Sequence, residues 1–443
     1  MRTIIIGGSA TGMGVAARLK RNDQTCEITV IQDKDYVSLG ACGLPYFVAN
    51  NFEDKNNLIA RTKEQFEKQG IKVISNSKVE SIDFKDKKVF FNNEFENYDN
   101  LVIAVGAKPI VPNIKGVEGE NVFTLTTLED GVLLKEKMNN DKSIKKVAII
   151  GAGFIGLEMT ETFYELKKEI FLLEMETKVM KRTFDEEISN LIQEKLEEKN
   201  INNLFGEQLV EIKLKNNKVN SILLKSGKEI KVDAVLLSVG FQPNTEFLKN
   251  SELKMNERGA IIINTKGETN IANVYSSGDC AISKNFVNNQ EIYSPLATVA
   301  SKFAKVIADN ISGKENQYFG SIQSAMLRIF DLEIARTGLT EQMAIANKIN
   351  VKSVFIKDKD HTNYTPNQKD LYLKLIINGD TKEIIGAQMA GSNNSILRIY
   401  ALAVLIWQKA KVNSALEQID LPYAPPFSRS VDIIHIALSK LNK

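Results

Sequence analysis

The feature that most constrains this chain is Gly151-Ala152-Gly153-Phe154-Ile155-Gly156, set between an apolar run at 147–150 and a helical stretch opening with Leu157-Glu158. A G-x-G-x-x-G between a strand and a helix is the turn of a parallel βαβ unit that carries a dinucleotide. The glycines allow a tight turn and close helix packing, and the helix amides face a pyrophosphate. The next apolar run, 170–173, ends at Glu174. An acid there accepts a hydrogen bond from a ribose 2′-hydroxyl; its charge favours NADH and repels the 2′-phosphate of NADPH.

A looser copy of the pattern opens the chain. A strand at 3–6 leads into Gly7-Gly8-Ser9-Ala10-Thr11-Gly12, a helix expected from Met13 to Arg21, and a strand at 28–31. Ser9 stands where the middle glycine usually does. Gln32, followed by Asp33, takes the place of the ribose-binding acid and bonds a hydroxyl less strongly than a carboxylate does. Two such motifs in one chain suggest two cofactors, a fixed flavin and an exchangeable nicotinamide.

Just beyond the first motif lies Ser38-Leu39-Gly40-Ala41-Cys42-Gly43-Leu44-Pro45-Tyr46. Small residues flanking Cys42 let the backbone bring its sulfur close to a flat ligand. Pro45 suits the first turn of a helix, which would aim amide dipoles at a thiolate, the reactive form of cysteine. Two readings stand on these residues alone: a redox thiol, or an inert packed cysteine. No second cysteine lies nearby, since Cys26 and Cys280 are distant in sequence, and both are expected to be structural. A single redox thiol can cycle through a mixed disulfide or a sulfenic acid.

Further on, strands with charged turns are expected over 72–91. A buried strand over 98–107 contains Ala104 and Gly106, and another over 232–240 ends at Gly240. Pro109, Pro112 and Pro243-Asn244 mark crossings between domains. Asp279, at the end of a strand from 273, either accepts hydrogen bonds from a polyol such as the flavin ribityl chain or is an ordinary turn aspartate. Ala297 and Thr298 open a helix to Ile311, whose amides would face the electron-rich edge of an isoalloxazine. After Gly320 the pattern becomes α+β: strands at 324–330, 351–356, 371–377 and 384–389, helices at 396–409 and 431–441. No sequence repeat or low-complexity tract appears.

The 443 residues suffice for two to four domains, and 57 basic against 55 acidic residues give no drive toward nucleic acid or membrane. Three cysteines argue against a disulfide scaffold. With no leader and no apolar run of spanning length, the expectation is a soluble cytoplasmic protein without a membrane or nucleic-acid partner. No metal site is expected.

Taken together, the two glycine motifs, Ser38-x-x-x-Cys42-Gly43-Leu44-Pro45-Tyr46, Gly278-Asp279-Cys280, Pro295-Leu296-Ala297-Thr298, Ala335-Arg336-Thr337-Gly338-Leu339-Thr340-Glu341 and Tyr423-Ala424-Pro425-Pro426-Phe427-Ser428 resemble the flavoprotein pyridine nucleotide-disulfide oxidoreductases. The likeness is to the single-cysteine branch of coenzyme A-disulfide reductases, NADH oxidases and NADH peroxidases. It implies an α/β fold with two Rossmann-like domains, one inserted in the other, and a C-terminal α+β dimerisation domain. The expected boundaries are 1–115 and 244–319 for FAD, 116–243 for NAD(P), and 320–443 for a homodimer interface.

The resemblance also implies roles. FAD would lie on Gly7, Gly8, Ser9, Ala10, Gly12, Gln32, Asp33, Ser38, Ala104, Gly106, Asp279, Ala297 and Thr298. NADH, with NADPH as the other possibility, would lie on Gly151, Gly153, Phe154, Ile155, Gly156, Glu174 and Gly240. Cys42 would be the redox thiol, approached by Tyr364 and Tyr423 of the partner subunit. Coenzyme A would meet Arg18, Arg21, Ser38, Ala41 and Arg61. For each arginine the plain alternative is an ordinary solvated charge.

Oxidases and peroxidases of the branch carry a histidine at the position of Ala10; here the only histidines are His361 and His435. Ala41 replaces a frequent Asn, Val105 a Thr and Gln242 an Arg. The expected function is therefore FAD-dependent reduction of coenzyme A disulfide, or a related disulfide or persulfide, by NAD(P)H through Cys42. The alternatives are an NADH oxidase working through a Cys42 sulfenate and a low-turnover redox sensor.

Overall fold

A computed structural model describes all 443 residues. The chain forms two compact units: Met1–Ile110, Leu125–Glu136 and Gly240–Ser321 in one, Val111–Thr124, Lys137–Val239 and Ile322–Lys443 in the other.

The first unit is built on a parallel sheet in the order Val274–Ser276, Asn100–Ile103, Arg2–Ile6, Glu27–Ile31, Ile71–Ile74. These strands are continuous apolar runs because both faces are covered. Successive side chains alternate between faces. Ile5, Val30 and Val102 join Met13, Leu19, Ala304 and Ile307 on one side, while Ile4, Ile6, Leu101 and Ile103 join Val89, Leu248 and Tyr318 on the other. Each such side chain contributes about 1.5–3 kcal/mol by leaving water. The helices Ala10–Asn22 and Ala297–Ile311 pack so closely that a Cβ on Gly14 would lie 2.9 Å from that of Ala304. The first helix starts three residues before the expected Met13. Ser9 adopts the extended N-cap conformation, so helical geometry begins at once.

The second unit contains a parallel sheet of the same plan: Asn202–Phe205, Glu169–Glu174, Lys146–Ile150, Ala234–Leu237, Val122–Phe123. In both, a three-stranded antiparallel sheet interrupts the sequence, between Ile71–Ile74 and Asn100–Ile103 in the first and between Asn202–Phe205 and Ala234–Leu237 in the second. It is Val79–Asp83, Lys88–Phe91 and Glu94–Asn97 in the first, and Leu209–Lys215, Lys218–Leu224 and Glu229–Lys231 in the second. The architecture therefore repeats although the sequence shows no repeat. Apolar runs and glycine turns specify the plan, and many residues satisfy them. The expected strand over 232–240 shortens to Ala234–Leu237 because its partner strand ends at Ile150, opposite Leu237; beyond it the Ser238 hydroxyl donates to the carbonyl oxygens of Ile150 (2.9 Å) and Gly151 (2.8 Å).

The C-terminal part is an antiparallel sheet in the order Ala325–Ile329, Leu332–Gly338, Ile384–Gly391, Asp370–Asn378, Val351–Lys359. Leu332–Gly338 was not among the expected strands; its residues after Glu333 are all buried, Arg336 among them, and lack a period-2 pattern. The helix expected over 396–409 is Ile399–Trp407, entered through the 3-10 turn Ser395–Arg398. The last helix, Ile433–Leu441, starts behind its Asp432 cap rather than at Val431.

A buried charge cluster joins this sheet to the helix Glu186–Glu198. Lys374, 3% exposed, lies 2.8 Å from Glu187, 2.7 Å from Glu341 and 3.6 Å from Asp185. Arg336 donates to the carbonyl oxygens of Thr183 (2.8 Å) and Gly338 (2.7 Å), and Gln388 accepts from the Asp185 amide at 2.8 Å. No helix is long and apolar enough to cross a membrane.

Candidate active site

The first glycine loop is held from three sides. Gly7 has φ +101°, and a Cβ there would fall 2.2 Å from the Ala104 carbonyl oxygen; one on Gly12 would fall 1.9 Å from that of Gly7. Gln32 accepts from the Gly8 amide at 2.8 Å, so its side chain braces the loop. Its carbonyl is thus engaged by the loop, and its amide NH2 is the group left to meet a ribose hydroxyl. Ser9 and Ala10 remain exposed at the helix start, and Asp33 is exposed beside Gln32. Gly278 approaches the same helix end: a Cβ on it would lie 2.6 Å from the Thr11 hydroxyl. Next to it, burial alone pushes the Asp279 carboxyl above its ordinary value. A half-buried carboxyl beside an open glycine loop suits the hydroxyls of a polyol. Gly106 turns at φ +64° and its carbonyl accepts from Asn244 at 3.0 Å. Ala297 and Thr298 are exposed in the first turn of their helix.

Ser38 couples this loop to the cysteine. With φ +54°, it donates its amide to the Gly8 carbonyl (2.8 Å) and accepts from the Ala60 amide (3.0 Å). Four residues on, Cys42 sits in the 3-10 turn Ala41–Gly43, directly ahead of the helix Leu44–Val48. The turn is buttressed by Leu58: the Gly40 amide donates to its carbonyl at 2.7 Å, and a Cβ on Gly43 would be 2.5 Å from its methyl carbon. Cys42 is exposed, whereas Cys26 and Cys280 are buried. Burial pushes both buried thiols up, away from the thiolate.

The arginines are placed differently from one another. Arg18 donates to Asp309 at 3.0 Å. Asp309 also accepts from Asn22, Lys305 and Asn316, and these partners hold its carboxyl well below the usual range despite burial. Arg21, one turn on, is exposed. Arg61, next to Ala60, stacks over Phe66 at 4.1 Å. Ala41 is exposed.

The second glycine loop repeats the brace. Glu174 accepts from the Ala152 amide at 3.0 Å and from the Glu176 amide at 3.0 Å. Gly151 has φ +103°, and a Cβ on Gly156 would lie 1.9 Å from the Gly151 carbonyl oxygen. Around Gly153 a Cβ would meet nothing within 4 Å. The middle glycine faces open space, so packing does not require it; room for a pyrophosphate does. Phe154 and Ile155 begin the helix Phe154–Glu165. On its next residues lies Glu158, the acid that closes the Gly151-x-Gly153-x-x-Gly156-x-Glu158 stretch. Burial, with Glu161 adding repulsion, pushes the Glu158 carboxyl up to about 7. The signal for it was in the sequence, in the acid two residues after the last glycine.

Tyr364 and Tyr423 are both exposed, at 69% and 45%, and their hydroxyls lie 2.9 Å apart. That hydrogen bond raises the Tyr423 phenol above its ordinary value. Gly240, at φ +107°, accepts from the Ile110 amide at 2.9 Å.

The comparison that decides the family is a match of residues 1–304 to the model of the pyridine nucleotide-disulphide oxidoreductases and of residues 325–433 to their dimerisation domain. The chain belongs to the pyridine nucleotide-disulphide oxidoreductase family. It is 33% identical over 430 residues to the NAD(P)H coenzyme A polysulfide/persulfide reductase of Pyrococcus horikoshii, covering 96% of this chain and 95% of that one. It is also 33% identical over 448 residues to an NADH oxidase of Methanocaldococcus jannaschii, covering 99% and 97%. A NAD-dependent persulfide reductase from A. fulgidus superposes with a TM-score of 0.95 at 33% identity, over 99% of this chain and 83% of that one.

Members of the family bind FAD and NAD(P)H, and the residues present here fit both. The first loop, Asp279 and the helix Ala297–Ile311 lie together in the first unit, and the second loop and Glu174 in the second. The protein is an FAD-dependent NAD(P)H:disulfide oxidoreductase.

Proposed function

We propose that the enzyme reduces coenzyme A disulfide or a related coenzyme A-bound persulfide or polysulfide through Cys42, with NADH as the favoured donor. The observation that carries this reading is the exposure of Cys42 on a turn tied through Ser38 to the flavin loop, while the two remaining thiols are buried.

FAD, held by the first glycine loop and Asp279, would supply the two-electron transfer between NAD(P)H and a disulfide. The chain's own residues do the rest. The Cys42 thiolate attacks one sulfur of the substrate, forming a mixed disulfide and expelling the other sulfur as a thiolate. Reduction of that mixed disulfide by two electrons releases the second thiolate and restores Cys42. A phenol is a donor that can protonate or orient a departing thiolate, and Tyr364 and Tyr423 of a partner subunit fill that role. The exposed side chains of Tyr400 (62%) and Val404 (59%), together with Leu397, form the apolar face on which a homodimer would close. Arg21 and Arg61 are the cations left to meet the phosphates of coenzyme A, with Arg18 contributing from its pairing with Asp309. Glu174 favours NADH by its charge.

Intact mass of the unreduced protein, before and after a reductant, tests the reading. Loss of one coenzyme A from wild type, with no adduct on Cys42→Ser and disulfide turnover abolished, is the expected result. Full disulfide turnover by Cys42→Ser overturns it. Oxygen-atom additions alone at Cys42, with NADH-driven oxygen uptake, would replace it by the oxidase reading, against which Ala10 counts. Turnover of a few per hour with every acceptor would replace it by a sensor.

A further inference from the structure

The two tyrosines come from different loops, 59 residues apart, and neither phenol is packed into a core. Exposed side chains on loops do not keep a 2.9 Å bond by themselves, because ordering each one costs conformational entropy. Something beneath them must fix both backbones.

That something is Arg398, which is mostly buried in the turn Ser395–Arg398. Its Nη2 donates to the carbonyl oxygen of Asp360 at 2.9 Å, at the root of the Tyr364 loop, and to that of Phe427 at 3.0 Å, in the Tyr423 loop. Its Nε donates to Asp432 at 2.6 Å and its Nη1 to the Ser395 carbonyl at 2.9 Å. One planar guanidinium thus spans both loops and its own turn, a geometry that a lysine ammonium does not reproduce. A weaker second tie runs directly between the loops: the Thr362 hydroxyl donates to the Pro425 carbonyl at 3.1 Å.

We propose that Arg398 is a positioning residue for the tyrosine pair, and so for protonation of the substrate thiolate. The proposal rests on the reading above that the pair faces the substrate of the partner's thiol. Arg398 touches neither phenol and acts through the backbone of both loops.

The test is a double-mutant cycle in full-length, FAD-loaded protein, with dimer mass and flavin absorbance recorded for each variant. Arg398→Lys is expected to lower kcat for coenzyme A disulfide about tenfold with KM within about twofold, as misplacement of an orienting group does. In a Tyr423→Phe background the same substitution should add less than about twofold, because the group it positions is already gone. In the near-ultraviolet titration the difference between each protein and its Tyr423→Phe counterpart isolates the Tyr423 phenol, which should be shifted down in Arg398→Lys relative to wild type. Additive losses, or an unmoved phenol titration, overturn the proposal. If Tyr423→Phe alone leaves turnover unchanged, the tyrosine reading fails instead, and the phenol titration still decides whether Arg398 sets the pair. Should Arg398→Lys not assemble, Thr362→Val supplies the same cycle through the second tie, with a smaller expected loss of about threefold.

Discussion

Glu174 accepts a hydrogen bond from the backbone amide of Ala152 at 3.0 Å, and Gln32 accepts one from the corresponding amide of Gly8 at 2.8 Å. Each side chain at the end of a second strand reaches back to the glycine loop after the first. The ribose-binding position and the pyrophosphate loop are therefore one mechanical unit, and in the second loop that unit carries a negative charge. Glu174→Gln keeps size and one acceptor oxygen, enough for the Ala152 amide, while removing the charge and the second acceptor that takes the Glu176 amide. The expected outcome is binding of 2′,5′-ADP tightened by about fivefold to tenfold relative to AMP, measured by calorimetry, because a carboxylate no longer faces the 2′-phosphate.

The glycines of one motif serve different ends. Gly156→Ala places a Cβ 1.9 Å from a backbone oxygen, so the loop must shift; a loss of several degrees in Tm is expected, with nucleotide binding lost as well. Gly153→Ala meets nothing within 4 Å. It should leave Tm within about a degree while weakening NADH at least about tenfold, because the new methyl occupies ligand space. Thermal melts with and without NADH separate the two.

Glu158 gives a signed pH prediction. Its carboxyl titrates near 7 in the folded chain, above the ordinary value of 4.5. Between these values the unfolded chain has lost a proton that the folded chain keeps, so stability falls as pH rises from about 4.5 to 7 and is flat beyond. Glu158→Gln removes that slope. Denaturant unfolding should find the variant more stable than wild type by about 2–3 kcal/mol at pH 8 and by little at pH 4.5.

Lys374 lies within ion-pair distance of three carboxylates in a site where it is itself 3% exposed. Lys374→Met fills similar volume but strips the cation from Glu187 and Glu341 and leaves the buried Asp185 charge with Arg336 alone. A loss of about 3–5 kcal/mol in the second unit is expected by denaturant unfolding. Pairing it with Asp185→Asn should recover part of that loss, since the stranded charge is removed.

The two glycine loops and their flanking strands were legible in the sequence because local geometry demands them. A chain must use glycine where φ is positive and a Cβ would strike a carbonyl oxygen, as at Gly7 and Gly151. Apolar runs likewise announce strands buried on both faces. The tertiary structure alone decided which distant residues meet. Nothing in the spacing of Tyr364, Arg398 and Tyr423 shows that one guanidinium ties their loops together. Nothing in Arg18 shows that Asp309 takes it up, or in Gln32 that its carbonyl faces an amide of its own chain. Such contacts depend on long-range placement, to which residue type and spacing are blind. The repeated sheet plan is hidden for the opposite reason: its rules are so permissive that two unlike sequences satisfy them.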